Sequence, residues 1–233
     1  MNKLDESLLS PLDPFAGLER PQIRDILNHA TTHRFETGET VFHEGAEADR
    51  FYLLLDGYIR VGRVTPEGEQ VTVMHIPAGQ LFGIALALGL THFPASAVAA
   101  SEAVVLSWSQ RHWPDFSIRY PGFSSVVYRT VGERMRQLHD HVVEMATQQV
   151  EQRVANALLR LINQMGRRSG AGIEIGFPIT RQDLSDMTGT TLHTVSRLLS
   201  AWEKRGIVES RRKRIMVCQP HQLVILAEPA AKH

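Results

Sequence analysis

The chain has 233 residues, 43% hydrophobic and 21% charged, which is enough apolar material for one large domain or two modest ones and too much for a disordered chain. Its longest apolar run, Ile84 to Leu90, has seven residues, well short of a membrane-spanning helix. The opening Met1-Asn2-Lys3-Leu4-Asp5-Glu6 lacks the basic-then-apolar pattern of a leader, so a cytoplasmic location is expected. A single cysteine, Cys218, excludes an internal disulfide framework, a four-cysteine zinc site and a cysteine-ligated iron–sulfur cluster. The net charge of zero hides an asymmetry. Residues 1–166 hold 14 Lys and Arg against 19 Asp and Glu, whereas residues 167–217 hold 10 against 5. A compact basic segment behind an acidic one points to a polyanion-binding module joined to something else.

From residue 33 to about 106 short β-rich runs are punctuated by glycine. Thr40-Val41-Phe42, Phe51-Tyr52-Leu53-Leu54-Leu55, Tyr58-Ile59-Arg60-Val61-Gly62-Arg63-Val64 and Val71-Thr72-Val73-Met74-His75-Ile76 alternate with Gly38, Gly45, Gly57, Pro66-Glu67-Gly68 and Pro77-Ala78-Gly79. This spacing predicts a β roll, with Pro66-Glu67-Gly68 closing a hairpin and His75 facing the interior beside Val71 and Val73. No helix of ordinary length fits there.

The period then changes. Tyr128, Val131, Met135, Leu138, Val142 and Met145 follow a 3,4 spacing, with polar residues between them. A stripe this narrow over a long helix predicts an a/d seam that pairs with a second copy of the chain, making all six residues a dimer interface. A second helix is expected over residues 150–164, followed by a loop at Arg167-Arg168-Ser169-Gly170-Ala171-Gly172. The predicted divisions are residues 1–121 for the sensory roll, 122–147 for the dimer helix and 148–233 for the last domain.

In the basic third, Thr180-Arg181-Gln182-Asp183 reads as a helix start, with a threonine cap and an acidic side chain at the positive helix end. That helix stops at Thr188-Gly189-Thr190, and a second one runs from about Thr191 to Lys204, closed by Gly206. Leu184, Leu192, Val195, Leu198, Leu199 and Trp202 are expected on the buried side. Two helices joined by a glycine-bearing turn form a helix-turn-helix, whose second helix enters the DNA major groove. Thr180, Thr190, Thr191, His193, Thr194, Ser196 and Arg197 are its candidate DNA contacts, Arg197 having the fork that binds guanine bidentately. Ile207-Val208 and Ile215-Met216-Val217 flank Arg211-Arg212-Lys213-Arg214, which predicts a hairpin wing placing Arg211, Arg212 and Lys213 on phosphates.

A β roll, a long helix and a winged helix-turn-helix in this order resemble the cyclic-AMP receptor protein and fumarate–nitrate regulator (Crp/Fnr) family. The resemblance covers nearly the whole chain. It is carried by Gly38-Glu39-Thr40-Val41-Phe42-His43-Glu44-Gly45, Phe51-Tyr52-Leu53-Leu54-Leu55-Asp56-Gly57, Pro77-Ala78-Gly79-Gln80-Leu81-Phe82-Gly83 and His193-Thr194-Val195-Ser196-Arg197. It implies an α+β homodimer that binds an inverted repeat in double-stranded DNA, responds to an effector and works with RNA polymerase. The His193-x-x-Ser196-Arg197 form is similar to the branch that regulates nitrite and nitric oxide reductases (NnrR-like), which implies response to nitric oxide or low oxygen, and haem as a sensor.

Departures from the family pattern narrow the effector. Cyclic-nucleotide-binding members follow the roll glycine with an acidic residue and later place Arg-Ser for the cyclic phosphate. Ile84 and Pro94-Ala95 stand there instead, and a buried phosphate without such anchors is costly, so cyclic AMP is not expected. The effector pocket is expected to be lined by Gly83, Ile84, Ala85, Leu86, Leu88, His92, Phe93, Pro94, Ala95 and Leu138. If haem b is the cofactor, His92 is the candidate axial ligand, since haem needs an apolar pocket with one imidazole at its edge. Two other readings stay open: a family member of another pathway that senses a different small molecule or none, and a cupin-like enzyme. The enzyme would need two or three histidines and a carboxylate at strand spacing, and no His-x-His cluster occurs in residues 34–106.

Overall fold

The computed structural model describes residues 5–64 and 70–228, so the hairpin turn expected at Pro66-Glu67-Gly68 lies outside the described residues. In chain order the helices and strands are α1 (Arg20–Asn28), β1 (Thr31–Phe35), β2 (Thr40–Phe42), β3 (Arg50–Asp56), β4 (Tyr58–Val64), β5 (Gln70–Pro77), β6 (Leu81–Phe82), β7 (Ser96–Ala99), β8 (Ala103–Ser109), α2 (Trp113–Arg119) and the long α3 (Pro121–Thr147). There follow α4 (Val150–Met165), β9 (Gly166–Ser169), β10 (Gly172–Ile175), α5 (Arg181–Thr188), α6 (Leu192–Lys204), β11 (Val208–Arg211), β12 (Arg214–Val217) and α7 (Pro220–Ala227). Between β6 and β7 the only helix among the described residues is a short 3₁₀ turn, Ala85–Leu88.

The N-terminal unit is built on two four-stranded antiparallel sheets, in the orders β1-β8-β3-β6 and β2-β7-β4-β5. Strand β3 reads as an unbroken apolar run because both of its faces are covered. Phe51 and Leu53 point to an outer core shared with Ile23 and Ile26 of α1, Trp113 and Phe116 of α2, and Phe123 and Val127 of α3. Tyr52 and Leu54 point the other way, into the roll interior with Ile59, Ile76, Phe82, Phe93 and Val105. Register follows from the same division, with Phe51 opposite Trp108 and Leu53 opposite Leu106. The Trp108 indole N–H donates to the Ile26 carbonyl at 2.9 Å, so the largest residue of the outer core leaves no buried donor unpaired. On β5, Thr72 and Ile76 are buried while Val71 and Val73 are exposed, and strand alternation places His75 on the outward face with the valines. That reverses the sequence expectation for His75.

The C-terminal unit centres on α4, which buries Val154, Ala155, Ala157, Leu158, Leu161, Ile162 and Met165 on one face. The segment expected as a loop after α4 forms the hairpin β9–β10, the outer half of a sheet ordered β11-β12-β10-β9. Among the described residues no helix is long and apolar enough to cross a membrane.

Compact grouping of the chain gives Met1–Arg63 with Met74–Arg136, and Val64–Val73 with Gln137–His233. This grouping divides α3 between the divisions expected at residues 121 and 147. Its first turns bury Phe123, Val126 and Val127, and Val131 packs on the same outer core. One turn on, the Arg134 guanidinium donates to the Leu81 carbonyl at 2.9 Å, and loss of hydration pushes its pKa down to about 10. Past residue 136 the helix groups with the C-terminal unit.

His33 of β1 and His112 before α2 are both held below the ordinary imidazole range, chiefly because burial disfavours the charged ring, with Arg50 adding to this at His33. His33 Nε2 lies 2.8 Å from the buried Ser107 hydroxyl, to which Arg50 also donates. A base whose folded pKa is depressed binds its proton less well folded than unfolded. Stability from these rings is therefore present above about pH 6.5 and declines as pH falls from there towards the lowered folded values. The unfolding midpoint is expected to drop between pH 7.5 and 5.5, and His33→Gln is expected to flatten that slope in circular-dichroism melts. An unchanged slope in the variant would exclude His33 as a contributor.

Candidate nucleic-acid interface

Helix α5 begins with a complete capping box. Thr180 N–H donates to Asp183 Oδ2 at 2.7 Å, Asp183 N–H donates to Thr180 Oγ1 at 3.1 Å, and the Thr180 hydroxyl donates back to the carboxylate at 2.7 Å. The helix ends on Gly189 at φ +55, the left-handed conformation that a glycine adopts without strain. Across the turn the Ser185 hydroxyl donates to the Thr190 carbonyl at 2.6 Å. Helix α6 then starts on Thr191, whose hydroxyl accepts from Thr194 N–H at 3.2 Å. Val195, Leu199 and Trp202 are buried, and the Trp202 indole donates to Glu151 Oε1 at 3.2 Å, tying α6 to α4.

The opposite face of α6 presents His193 and Arg197 to solvent, with Thr194 and Ser196 half-buried at its margins. No carboxylate lies within ion-pair distance of Arg197 among the described residues. Three of the candidate contacts have local work as well. Thr180, Thr191 and Thr194 are engaged in caps, the last two hydroxyls lying 3.0 Å apart, and Thr190 is half-buried in the turn. Leu192 departs from expectation. It is 45% exposed at the first position of α6 instead of joining the buried side. Its apolar type concealed it, and its place one residue after the cap is the signal that would have found it.

The wing is β11–β12, with Arg211 paired to Arg214 and only Arg212 and Lys213 in the turn. Lys213 takes φ +58, and its carbonyl accepts from Ile179 N–H at 3.1 Å, so the tip is fixed to the segment entering α5. Arg211 pairs with Glu209 and Arg214 with Glu174, whereas Arg212 and Lys213 have no such partner among the described residues. Arg181 lies 3.5 Å from Glu203 Oε1, which also accepts from Ser210 N–H at 3.1 Å, joining α5, α6 and the wing. Between them lies a groove of about 580 Å³. Buried Ile179 and Ile215 form its floor, Leu192 one wall, and Thr180, Arg181, Arg212 and Lys213 its rim.

The residues expected to line one effector pocket are not brought together. Ile84 is buried in the outer core, while Ala85 and Phe93 belong to the roll interior on the other side of the sheet. Phe93 stacks on Phe42 with ring centroids 3.8 Å apart, and Tyr52 and Phe82 continue the stack. Gly83 takes φ +64, and a side chain there would meet the Tyr52 ring at 2.7 Å. Leu86, Leu88 and Pro94 are exposed, Ala95 is half-buried, and Leu138 is exposed in the C-terminal unit. His92 is also exposed, bridges to Glu47 in a strand-like pair and places Nδ1 2.9 Å from the Thr91 hydroxyl. An axial haem ligand needs an imidazole at the edge of a large apolar pocket, and His92 does not fit that requirement.

On α3, Tyr128, Met135, Leu138 and Val142 of the expected seam are exposed, Met135 and Val142 each at 66%. Two seam members also make contacts within the chain, Met145 while remaining 38% exposed. Val131 packs inward on the outer core, and the Met145 side chain fills the space that a Gly189 side chain would take. The 3,4 spacing reads the face of a helix but not a change of neighbour along it.

Residues 32–120 match the family model of the cyclic nucleotide-binding domain, and residues 152–225 match that of the Crp-like helix-turn-helix domain. The chain is 26% identical to the nitrogen fixation regulation protein FixK of Bradyrhizobium diazoefficiens, over 91% of this chain and 88% of that one. It is 28% identical to the fumarate and nitrate reduction regulatory protein of Salmonella typhimurium, over 82% and 76% of the two chains. It is 22% identical to a CRP-like cAMP-activated global transcriptional regulator of Mycobacterium tuberculosis, over 94% and 97%. Among solved structures, FixK2 from Bradyrhizobium japonicum superposes with a TM-score of 0.75 at 22% identity, covering 87% of this chain and 99% of that one. The Mycobacterium relative is named as a transcriptional regulator and the other two curated relatives as regulatory proteins, which sets the cupin-like enzyme reading aside.

Removing the α5 cap by Thr180→Ala is expected to destabilise the C-terminal unit by about 1 kcal/mol, since both a donor and an acceptor of the box are lost. Chemical denaturation followed by Trp202 fluorescence measures it, and an unchanged midpoint would show that Asp183 caps the helix alone.

Proposed function

Because the chain belongs to the Crp/Fnr family of DNA-binding transcription regulators, we propose that it acts as a homodimer that binds an inverted repeat, with α6 reading bases and the wing holding phosphates. One observation carries this reading. Arg197 on α6 and Arg212 and Lys213 at the wing tip are cations without carboxylate partners among the described residues, in a segment whose charge opposes that of the rest of the chain. The exposed stripe of Met135, Leu138 and Val142 supports pairing through α3, as it is apolar surface that the monomer leaves in water.

We infer further that the effector is not cyclic AMP. Ile84 occupies the place of the acidic anchor and is spent in the outer core, and Pro94-Ala95 offers a phosphate no side-chain donor. The His193-Thr194-Val195-Ser196-Arg197 form, together with two relatives named for nitrogen fixation and for fumarate and nitrate reduction, supports response to nitric oxide or low oxygen and control of nitrogen-oxide genes.

Selection of binding sites from random DNA tests the reading. Enrichment of an inverted repeat whose half-sites lie about one helical turn apart is expected. On that site Arg197→Ala should lose roughly 1–3 kcal/mol and relax one guanine position, while Arg212→Ala should weaken all sequences alike and flatten the salt slope by about one. Leu192 cannot hydrogen-bond, and the apolar group that a major groove offers is the thymine methyl. Replacing one thymine per half-site by deoxyuridine should therefore weaken wild type about fourfold per half-site and leave Leu192→Ala unaffected. A selection without an inverted repeat would overturn the proposal.

Pairing through α3 has its own measurement. Leu138→Arg would set two charges against each other on a two-fold axis, and sedimentation is expected to show monomer at concentrations where wild type is dimeric. A dimer of unchanged affinity would place the interface elsewhere.

A further inference from the structure

Helices α3 and α4 are joined through only Gln148 and Gln149, the latter with extended backbone at φ −70, ψ 157. Left to itself, so short a joint would be a swivel. Side chains of α4 close it. The Arg153 guanidinium donates through Nη1 to the Gln148 carbonyl at 3.1 Å, through Nε to the Thr188 carbonyl at 3.0 Å and through Nη2 to the Gly189 carbonyl at 3.5 Å. One rigid fork thus holds the joint and the turn before α6 at once. Three residues on, Asn156 donates to the Gln148 side chain at 3.0 Å, and one turn further Arg160 pairs with Glu144 of α3 at 2.5 Å. Met145 adds a steric contact. Its Cε lies 2.1 Å from the position a Cβ of Gly189 would take, so the last turn of α3 rests in the notch of the glycine turn.

We propose that Arg153 is the positioning residue that couples the end of α3 to the aim of the recognition helix. The proposal rests on the reading of α6 as the DNA-reading element. With the fork in place, a twist applied to the last turns of α3 turns α6, because the carbonyls at the two ends of the coupling share one guanidinium. Without it the same twist is absorbed at Gln148 and Gln149. The coupling is carried by a two-ended contact, which is a stronger statement than spatial intermediacy. It also gives physical content to the grouping of Gln137–His233 as one unit, since the last turns of α3 are held by α4 and the turn.

Amide hydrogen exchange of the full-length protein tests the coupling without DNA, and affinity for the selected inverted repeat tests its consequence. Arg153→Met keeps the length of the side chain and removes every donor. Exchange is expected to accelerate at least tenfold in both residues 145–149 and residues 188–191, while the amides of residues 195–202 keep their protection. DNA affinity should fall at least tenfold, and Arg153→Lys, which keeps a donor but not the fork, should lie between. Wild-type exchange in either segment of Arg153→Met would overturn the coupling, whatever happens to DNA binding. Coupled exchange in a wild-type protein that selects no DNA site would instead overturn the reading of α6 and leave the contact standing.

Should Arg153→Met fail to fold, the steric half of the contact is tested separately. Gly189→Ala should lose at least tenfold in DNA affinity, and Met145→Ala added to it should recover the part of that loss due to the filled notch, the left-handed strain at residue 189 remaining. A double variant no better than Gly189→Ala would overturn the role of the notch.

Discussion

The DNA-facing half of the molecule depends on one backbone conformation. At φ +55 Gly189 reverses the chain after α5, and the position where another residue would carry a side chain is occupied by Met145. Any other residue would meet both left-handed strain and that methyl group. The hydroxyl of Ser185 on the Thr190 carbonyl and that of Thr188 on the Leu184 carbonyl then fix the two ends of the turn. Because the turn is over-determined, the direction in which α6 leaves it is set, and so is the ordering of Leu192, His193 and Arg197 along its exposed edge. The wing inherits its place from the same frame through Ile179 N–H on the Lys213 carbonyl and the Arg181–Glu203–Ser210 cluster.

The roll solves a different problem. Its central strands carry apolar residues on both faces, which only works if each face has its own core. Phe51, Leu53, Leu106 and Trp108 supply one, and Tyr52, Leu54, Ala103 and Val105 the other. A stack of four aromatic rings fills the interior, and pairs such as Phe42–Tyr52 and Tyr52–Phe82, at 5.5 and 5.1 Å, contribute about 0.5–1.5 kcal/mol each beyond the burial itself. Phe42, Phe82 and Phe93 pack against one another in the roll interior. That packing explains why residues adjacent in sequence, from Ile84 to Ala95, are divided between two cores and the surface.

Features set by local chemistry were legible in the sequence. The Thr180 and Asp183 box, the Gly189 turn, the closing Gly206 and the Arg212-Lys213 wing tip all lie where turn and capping rules put them. Features set by what lies across from a side chain were not. Strand parity placed His75 with Val71 and Val73 correctly, yet which face turned inward depended on Thr72 and Ile76. Arg167 to Gly172 reads as loop from composition, and becomes a hairpin because β12 offers β10 an edge to pair with. Leu192 has the chemistry of a core residue yet lies exposed at the first position of α6, which no periodicity records.

Helix α3 shows why a regular pattern can mislead when its surroundings change. The 3,4 stripe is continuous in sequence, but Val131 contributes to the outer core and Met145, though still 38% exposed, to the notch of Gly189, while Tyr128, Met135, Leu138 and Val142 are open. Val131 and part of Met145 are therefore used within the chain, and the residues between them are not. Covering Met135, Leu138 and Val142 would remove several hundred square ångströms of apolar surface from water if two copies met there, a scale typical of a functional patch. If a second copy covers the middle of the helix, its last turns, tied to the turn before α6, have the layout needed to pass a change in pairing geometry on to α6. The physical requirement is that the tie at Arg153 be stiffer than the helix between the two contacts.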